Sequence, residues 1–486
     1  MQPGPGKNLT WDGLMLDRLV RMLKGRAGLR REIECGGLLA SRARKTAFSR
    51  LNAVAPLVSE MHEAPVKGVA HLSGPLEQTG NSIVRREAVL GSNQRVAGYM
   101  FSLVYQANPR VRASSTSIQR LYDRVLLRNL HVMGVQRLLE HRLAFVDVSA
   151  SSLDVPFIEA LPPQGTVYVI GASTPLVANH APHLARLKAL GYRIGLRAAD
   201  ANIPDSSPYW DQVDFLFIDI GNSDIPTIND QIESATRRAP AMKFVATGIR
   251  TFEEYRVCAK LPFSSYQGPF ITNREKLDAP GMDAGRIKII DLLNRLRGDA
   301  EVTELATLIR QNLALAYKLL RYINSPGMGQ MHKIVTPEQA LMVLGRQKLY
   351  RWLTILLFTS GKTPGLDWAV MENALVRARL AELLAQNALT ADERDELFVA
   401  GLFSLLDVVL SMPLDAVLKQ VNLSAQISEA LLRQQGRYAP YLALAIACEQ
   451  SDDASIAALA QVVGLDVWRV NYVHLEAMLW AQQVGE

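Results

Sequence analysis

Cysteine is scarce in this chain of 486 residues: only Cys35, Cys258 and Cys448 are present, far apart and with no CxxC pair. That spacing excludes a disulfide framework and a cysteine-built zinc site, and it suits a reducing, cytoplasmic compartment. Long apolar runs are also missing. The best, "YLALAIAC" (441–448) and "LTILLF" (353–358), fall far short of the roughly 18–20 residues a membrane helix needs and read as core segments. No signal-peptide pattern opens the chain, because charges interrupt the apolar residues of "LMLDRLVRMLKGR". The eight histidines form neither an HxxxH nor a His-Asp pair.

What is present is a globular composition, 49% apolar and 21% charged, long enough for two or more domains. The net charge of +6 is concentrated at one end. Residues 1–60 hold eleven Lys and Arg against five Asp and Glu, so the remainder is neutral on balance. Such a segment can contact nucleic acid or an anionic lipid surface. With only Trp11 and Phe48 as aromatics, it reads instead as a solvated, partly disordered extension. Within it, "LTWDGLMLDRLVRMLKG" (9–25) has the spacing of a short amphipathic helix, and the Pro- and Gly-containing stretch 61–80 reads as a linker.

From residue 82 the pattern changes. A hairpin is expected about Gly91-Ser92-Asn93. Strands follow at "LAFVDVSA" (143–150), "VYVIGAS" (167–173), "RIGLRA" (193–198), "DFLFIDI" (214–220), "KFVATGI" (243–249) and "YQGPFI" (266–271). Helical runs lie between them, including 180–191 and 225–239. Seven or more Val-, Ile- and Phe-rich strands with intervening helices predict a closed α/β barrel.

After about residue 285 the strands stop and helical periodicity takes over. Stripes run through 302–312, 313–324, 348–358, 370–387 and 390–413. Thr336, Pro337 and Gln339 form a helix start, Gly345 a helix end, and Thr390 with Glu393 a capping box. "SIAALAQVVGLDVWRVNYVHLEAMLWA" (455–481) has the rhythm of a helix-turn-helix but offers only Arg469 near a reading face, so it reads as a core helical pair. The domains expected are a basic extension and linker at 1–80, a barrel at 81–275, a linker at 276–288 and an all-α domain at 289–486.

In the helical half, residues 313–357 resemble the core of an HDOD domain. The motifs are Leu320, Asn324-Ser325, Gly327 and Gly329, then Leu344-Gly345-Arg346. In the first half, "VRREAVLGSNQRVAGYMFSL" resembles the opening of an EAL domain, the barrel of cyclic-di-GMP phosphodiesterases, and the later strands follow in order. Together the halves resemble the bacterial EAL–HDOD signalling proteins over about 82–475.

The resemblance implies a hydrolysis that uses divalent metals held by carboxylates, yet this chain departs at the ligand positions. Met100 stands where the EAL signature has Glu, and "VYVIGAS" carries no acid. Arg197-Ala198 replace a consecutive Asp pair, Phe217 replaces Lys, and Thr247 replaces Glu. Asp219 and Gln267-Gly268 persist, and Asp200 lies two residues beyond the lost pair. A guanidinium at a former metal position repels a divalent ion and can bind an anion instead. In the helical half, Ser404 and Leu405 occupy the place of a metal-binding His-Asp pair.

The reading is a regulatory protein without enzymatic activity or cofactor. A degenerate barrel (Met100, Arg197, Ala198, Asp200, Phe217, Asp219, Thr247 and Gln267 around its pocket) couples to an HDOD module. That module presents the turn and surface Asn324, Ser325, Gly327, Gly345 and Arg346 to a regulatory protein partner. The alternatives are a cyclic-di-GMP sensor that does not hydrolyse and a residual phosphodiesterase. Homo-oligomerisation is left open.

Overall fold

The chain is described from a computed structural model covering residues 82–103, 115–171, 176, 178–197, 210–221, 223–272, 284–324, 332–359, 367–410 and 412–485. The expectations for residues 1–80, Ala198, Asp200, Ser325 and Gly327 lie outside the described residues.

Eight strands close into a barrel in chain order: β1 (Val84–Gly91), β2 (Val96–Leu103), β3 (Leu143–Val148), β4 (Thr166–Ile170), β5 (Arg193–Arg197), β6 (Phe215–Asp219), β7 (Lys243–Thr247) and β8 (Phe263–Gln267). β1 and β2 form the expected hairpin, with Gly91 N–H donating to Arg95 O at 2.8 Å. β1 also pairs antiparallel with β8, while the pairs from β2 to β8 are parallel. Helices Thr116–Met133, Ala181–Ala189, Ile225–Arg238 and Phe252–Cys258 cover the outside.

The strand alternation splits the apolar residues into two cores. One lies between strands and helices. The other fills the barrel with Val89, Met100, Phe145, Val167, Val169, Phe215, Phe217 and Val245. Phe145 meets Phe215 and Phe217 edge-on, with ring centroids 5.5 and 5.7 Å apart. Gly195 makes room for this plug, since a Cβ there would lie 2.8 Å from the Phe217 ring.

Two sequence-derived boundaries are corrected. The last strand spans 263–267 rather than 266–271, and Pro269–Ile271 form a 3₁₀ turn. Pro269 has no N–H for the ladder, and Gly268 turns the chain away. The single helix expected over 390–413 is two, Ala391–Phe403 and Leu406–Leu410, because Ser404 Oγ donates to Gly401 O at 2.6 Å and ends the first. Gly345 does break its helical stretch, Pro337–Thr359, with φ 71° and ψ 170°. Both Thr390 and Glu393 complete their capping box.

The helical half begins with Ala284–Arg297, inside the stretch expected as linker, and its later helices dock on the first hairpin of the barrel. Val84 N–H donates to Asn471 Oδ1 at 3.2 Å, and Asn471 Nδ2 donates to Ser82 O at 2.8 Å. Tyr99 OH donates to Glu372 at 2.8 Å, with Arg142 3.3 Å from the same carboxylate. The Arg95 guanidinium lies 4.7 Å from the Trp368 ring centre, and Arg85 pairs with Asp453. The helix Val467–Gly485 meets this boundary through Asn471 and His474, and its Val470, Val473 and Met478 are buried.

At the same boundary Arg86 is 5% exposed and has no carboxylate partner among the described residues. Its guanidinium donates to Val84 O (3.2 Å) and Asn471 O (2.7 Å) and meets His474 Nδ1 at 3.1 Å. Burial lowers the Arg86 pKa to about 10. Burial, then the Arg86 charge, holds His474 well below 6.5. The folded chain therefore keeps His474 neutral while the unfolded chain protonates it. Its contribution to stability is present above about pH 6.5 and is lost as pH falls, by up to about 1.4 kcal/mol per pH unit. Asp123 acts in the opposite sense, its pKa raised to about 6 by burial. Urea titrations of the native chain and His474→Gln between pH 7.5 and 5.5 are expected to diverge as pH falls, the native chain losing more stability. Parallel profiles would refute this.

Candidate functional site

The interior face of each strand carries a side chain to the barrel mouth, where the strands β2 to β8 end. Arg197 follows Gly195, Asp219 follows Phe217, Thr247 follows Val245 and Gln267 follows Ser265, each by the two-residue period. The same rule brings in two acids that the sequence reading missed. Asp147 shares the face of Phe145, and Glu87 shares that of Val89. The signal was available in "LAFVDV" and "VRREAVL": both place an acid two residues from a core position.

Among the described residues the mouth thus holds three carboxylates, Glu87, Asp147 and Asp219, of which the sequence reading had named only Asp219; Asp200, which it also named, lies outside the described residues. Each is engaged on a different side. Gln267 Nε2 donates to Glu87 at 2.6 Å. Arg197 lies 3.8 Å from Asp147, with 29% and 17% of the two side chains exposed, and its guanidinium faces the Phe217 ring at 5.9 Å. Asp219 accepts the Gly221 N–H at 2.9 Å. Thr247 Oγ1 donates to Ile218 O at 3.2 Å. Met100 and Phe217 belong to the apolar plug beneath, 3% and 2% exposed. No group of three or more His, Cys, Asp or Glu among the described residues is placed to hold a metal ion.

The position of the missing His-Asp pair is also filled by a cation. Arg377, 6% exposed, donates to Ser404 Oγ at 2.8 Å and to Glu449 at 2.9 and 2.7 Å. A guanidinium fixed between a hydroxyl and a carboxylate is the reverse of a divalent-metal donor set.

The expected turn residues have structural partners. Asn324 Nδ2 donates to Leu320 O (2.7 Å) and Ile334 O (2.6 Å), and its Oδ1 accepts the Ile334 N–H (2.7 Å), so one amide joins a helix end to the chain ten residues on. Arg346 donates to Leu296 O (2.5 Å) and Ala300 O (2.7 Å), setting a cation at the end of Ala284–Arg297 where the helix carbonyls point. Gly345 beside it is exposed.

Comparison with known proteins places these features. Residues 286–434 match the model of the HDOD domain. The chain is 24% identical to YuxH of Bacillus subtilis over 408 residues, 82% of this chain and 98% of that one. It is 22% identical to the Vibrio cholerae protein named cyclic di-GMP phosphodiesterase CdgJ over 419 residues, 85% of this chain and 95% of that one. Among solved structures, the FimX EAL domain of Xanthomonas citri in complex with c-diGMP is 16% identical, with a TM-score of 0.33, covering 48% of this chain and 95% of that one. Among the described residues no helix is long and apolar enough to cross a membrane. In this chain a closed eight-stranded barrel is followed by a region, residues 286–434, that matches the HDOD domain.

Proposed function

We propose that the chain is a regulatory protein of cyclic-di-GMP signalling that works by binding and inter-domain coupling rather than by hydrolysis. The supporting observation is Arg197. Its guanidinium stands in the barrel mouth, ion-paired to Asp147, where a phosphodiesterase would hold a divalent ion. A fixed positive charge there raises the cost of metal entry by several kcal/mol at the dielectric of a half-exposed site. The helical half, with its own metal position closed by Arg377, serves as the surface for a regulatory protein partner.

A second reading draws on the same residue. The Arg197–Asp147 pair is loose and part-exposed, so the guanidinium can turn to a phosphate, and the barrel would then sense cyclic-di-GMP without cleaving it. Incubation with the dinucleotide and Mg²⁺ or Mn²⁺ is expected to yield no linear product, and turnover at enzyme-like rates would overturn the proposal. Calorimetric titration separates the two non-hydrolytic readings. Binding that weakens at least about tenfold in Arg197→Ala establishes the sensor, that factor being about 1.4 kcal/mol. An absence of heat leaves the partner-binding scaffold.

A further inference from the structure

At the end of the barrel opposite the mouth, where β5, β6 and β7 begin, lies an open cavity of about 510 Å³. Arg193 opens β5 and Lys243 opens β7; both line the cavity and both are exposed. The two-residue period puts them on the interior face, Arg193 with Gly195 and Lys243 with Val245, on either side of Phe215 in β6. Two strand spacings separate their backbones, roughly 10 Å across the sheet, a span that two such long side chains can close on one anion. Neither has a carboxylate within ion-pair distance among the described residues. Aromatic rings steady two of the lining cations: Lys243 Nζ lies 5.8 Å from the Phe215 ring centre, and the Arg238 guanidinium 5.0 Å from that of Trp210. Lys188 is neutralised by Asp214 at 2.6 Å, and Asp214 also accepts the Ile194 N–H at 2.9 Å. Asp211 is the other acid of the lining, so Arg193, Arg238 and Lys243 leave an excess of two positive charges.

We propose that this cavity at the barrel base binds a small organic phosphate monoester, its phosphate held between Arg193 and Lys243. Such a group carries close to two negative charges near neutral pH, which matches the excess of the lining. The guanidinium offers paired N–H donors to phosphate oxygens, and the ammonium a compact charge. The volume of about 510 Å³ is that of a small-molecule site and leaves room for an organic body beside the phosphate. Arg197 stands at the other end of β5, so this inference and the proposed function can fail separately.

The test is calorimetry on the full chain at fixed ionic strength, with phenyl phosphate and inorganic phosphate as probes. Phenyl phosphate is expected to bind, and more tightly than inorganic phosphate. Arg193→Gln and Lys243→Gln are each expected to weaken it at least about tenfold. Both positions are exposed at strand starts, so the urea midpoints of these variants are expected to stay close to that of the native chain. Arg256→Gln removes an exposed cation on the helix Phe252–Cys258 and is expected to leave binding unchanged, which separates a built site from the effect of net charge. No heat from phenyl phosphate at about 10 mM, undiminished binding in Arg193→Gln or Lys243→Gln, an equal loss in Arg256→Gln, or inorganic phosphate bound as tightly would each overturn the proposal.

Discussion

Replacing Gly268 by alanine is expected to cost the chain about 3–5 kcal/mol of stability, the range reached when a substitution forces backbone apart in a packed region. Gly268 has φ 153°, and an added Cβ would sit far inside contact distance of the Ile249 carbonyl oxygen and crowd its backbone nitrogen. Backbone atoms cannot swing aside as a flexible side chain does. Ile249 N–H donates to Gln267 O at 3.3 Å, and Val89 pairs with Gln267 to close the barrel, so the displacement falls on the seam between β7, β8 and β1. The same seam carries Glu87 and Gln267 to the mouth. Gly345→Ala is the control. It too has positive φ, 71°, with ψ 170°, a backbone region that essentially only glycine adopts, but an added Cβ meets nothing within 4 Å, so only the backbone strain of about 1–3 kcal/mol remains. Urea denaturation of both variants gives the comparison, and equal losses at the two positions would refute the steric account.

Arg351→Leu is expected to cost about 3–5 kcal/mol, by stranding buried carboxylates. Arg351 is 6% exposed, donates to Glu382 at 3.2 and 2.9 Å and to Asp395 at 2.7 Å, and lies 3.6 Å from the Phe398 ring centre. Glu382 is 6% exposed. Burial alone would raise its pKa, but Arg351 and Arg379 outweigh that and hold it below the usual range. Asp395, bonded to the same guanidinium but by one contact, is nevertheless pushed up, first by burial and further by the neighbouring charges of Glu382 and Asp392. Removing Arg351 leaves Glu382 with Arg379 alone (2.8 Å) and takes from Asp395 the one cation bonded to it among the described residues. The double variant Arg351→Leu with Glu382→Leu is expected to recover part of the loss, because it removes the buried charge along with its partner. A double variant no more stable than Arg351→Leu would show that packing against Phe398, rather than charge pairing, carries the effect.

By itself the sequence determined what is local or periodic. The alternation of Val, Ile and Phe marked the strands of the barrel, because side chains on a strand must alternate between the two cores. The Thr390–Glu393 box and the Gly345 break were visible because capping and positive φ depend on a few adjacent residues. The motif around Asn324 was legible, and its meaning became clear once Ile334 was seen on the other side of the amide. Only the tertiary structure decided which polar groups share a site. Glu87 reaches Gln267 across 180 residues, and Asp147 reaches Arg197 around the barrel, so no spacing rule could pair them. The docking of the helices on β1 and β2, through Asn471, His474 and Glu372, joins positions more than 270 residues apart. Contacts of that separation depend on how whole elements pack, and packing follows from shape and burial summed over the fold rather than from any short stretch of chain.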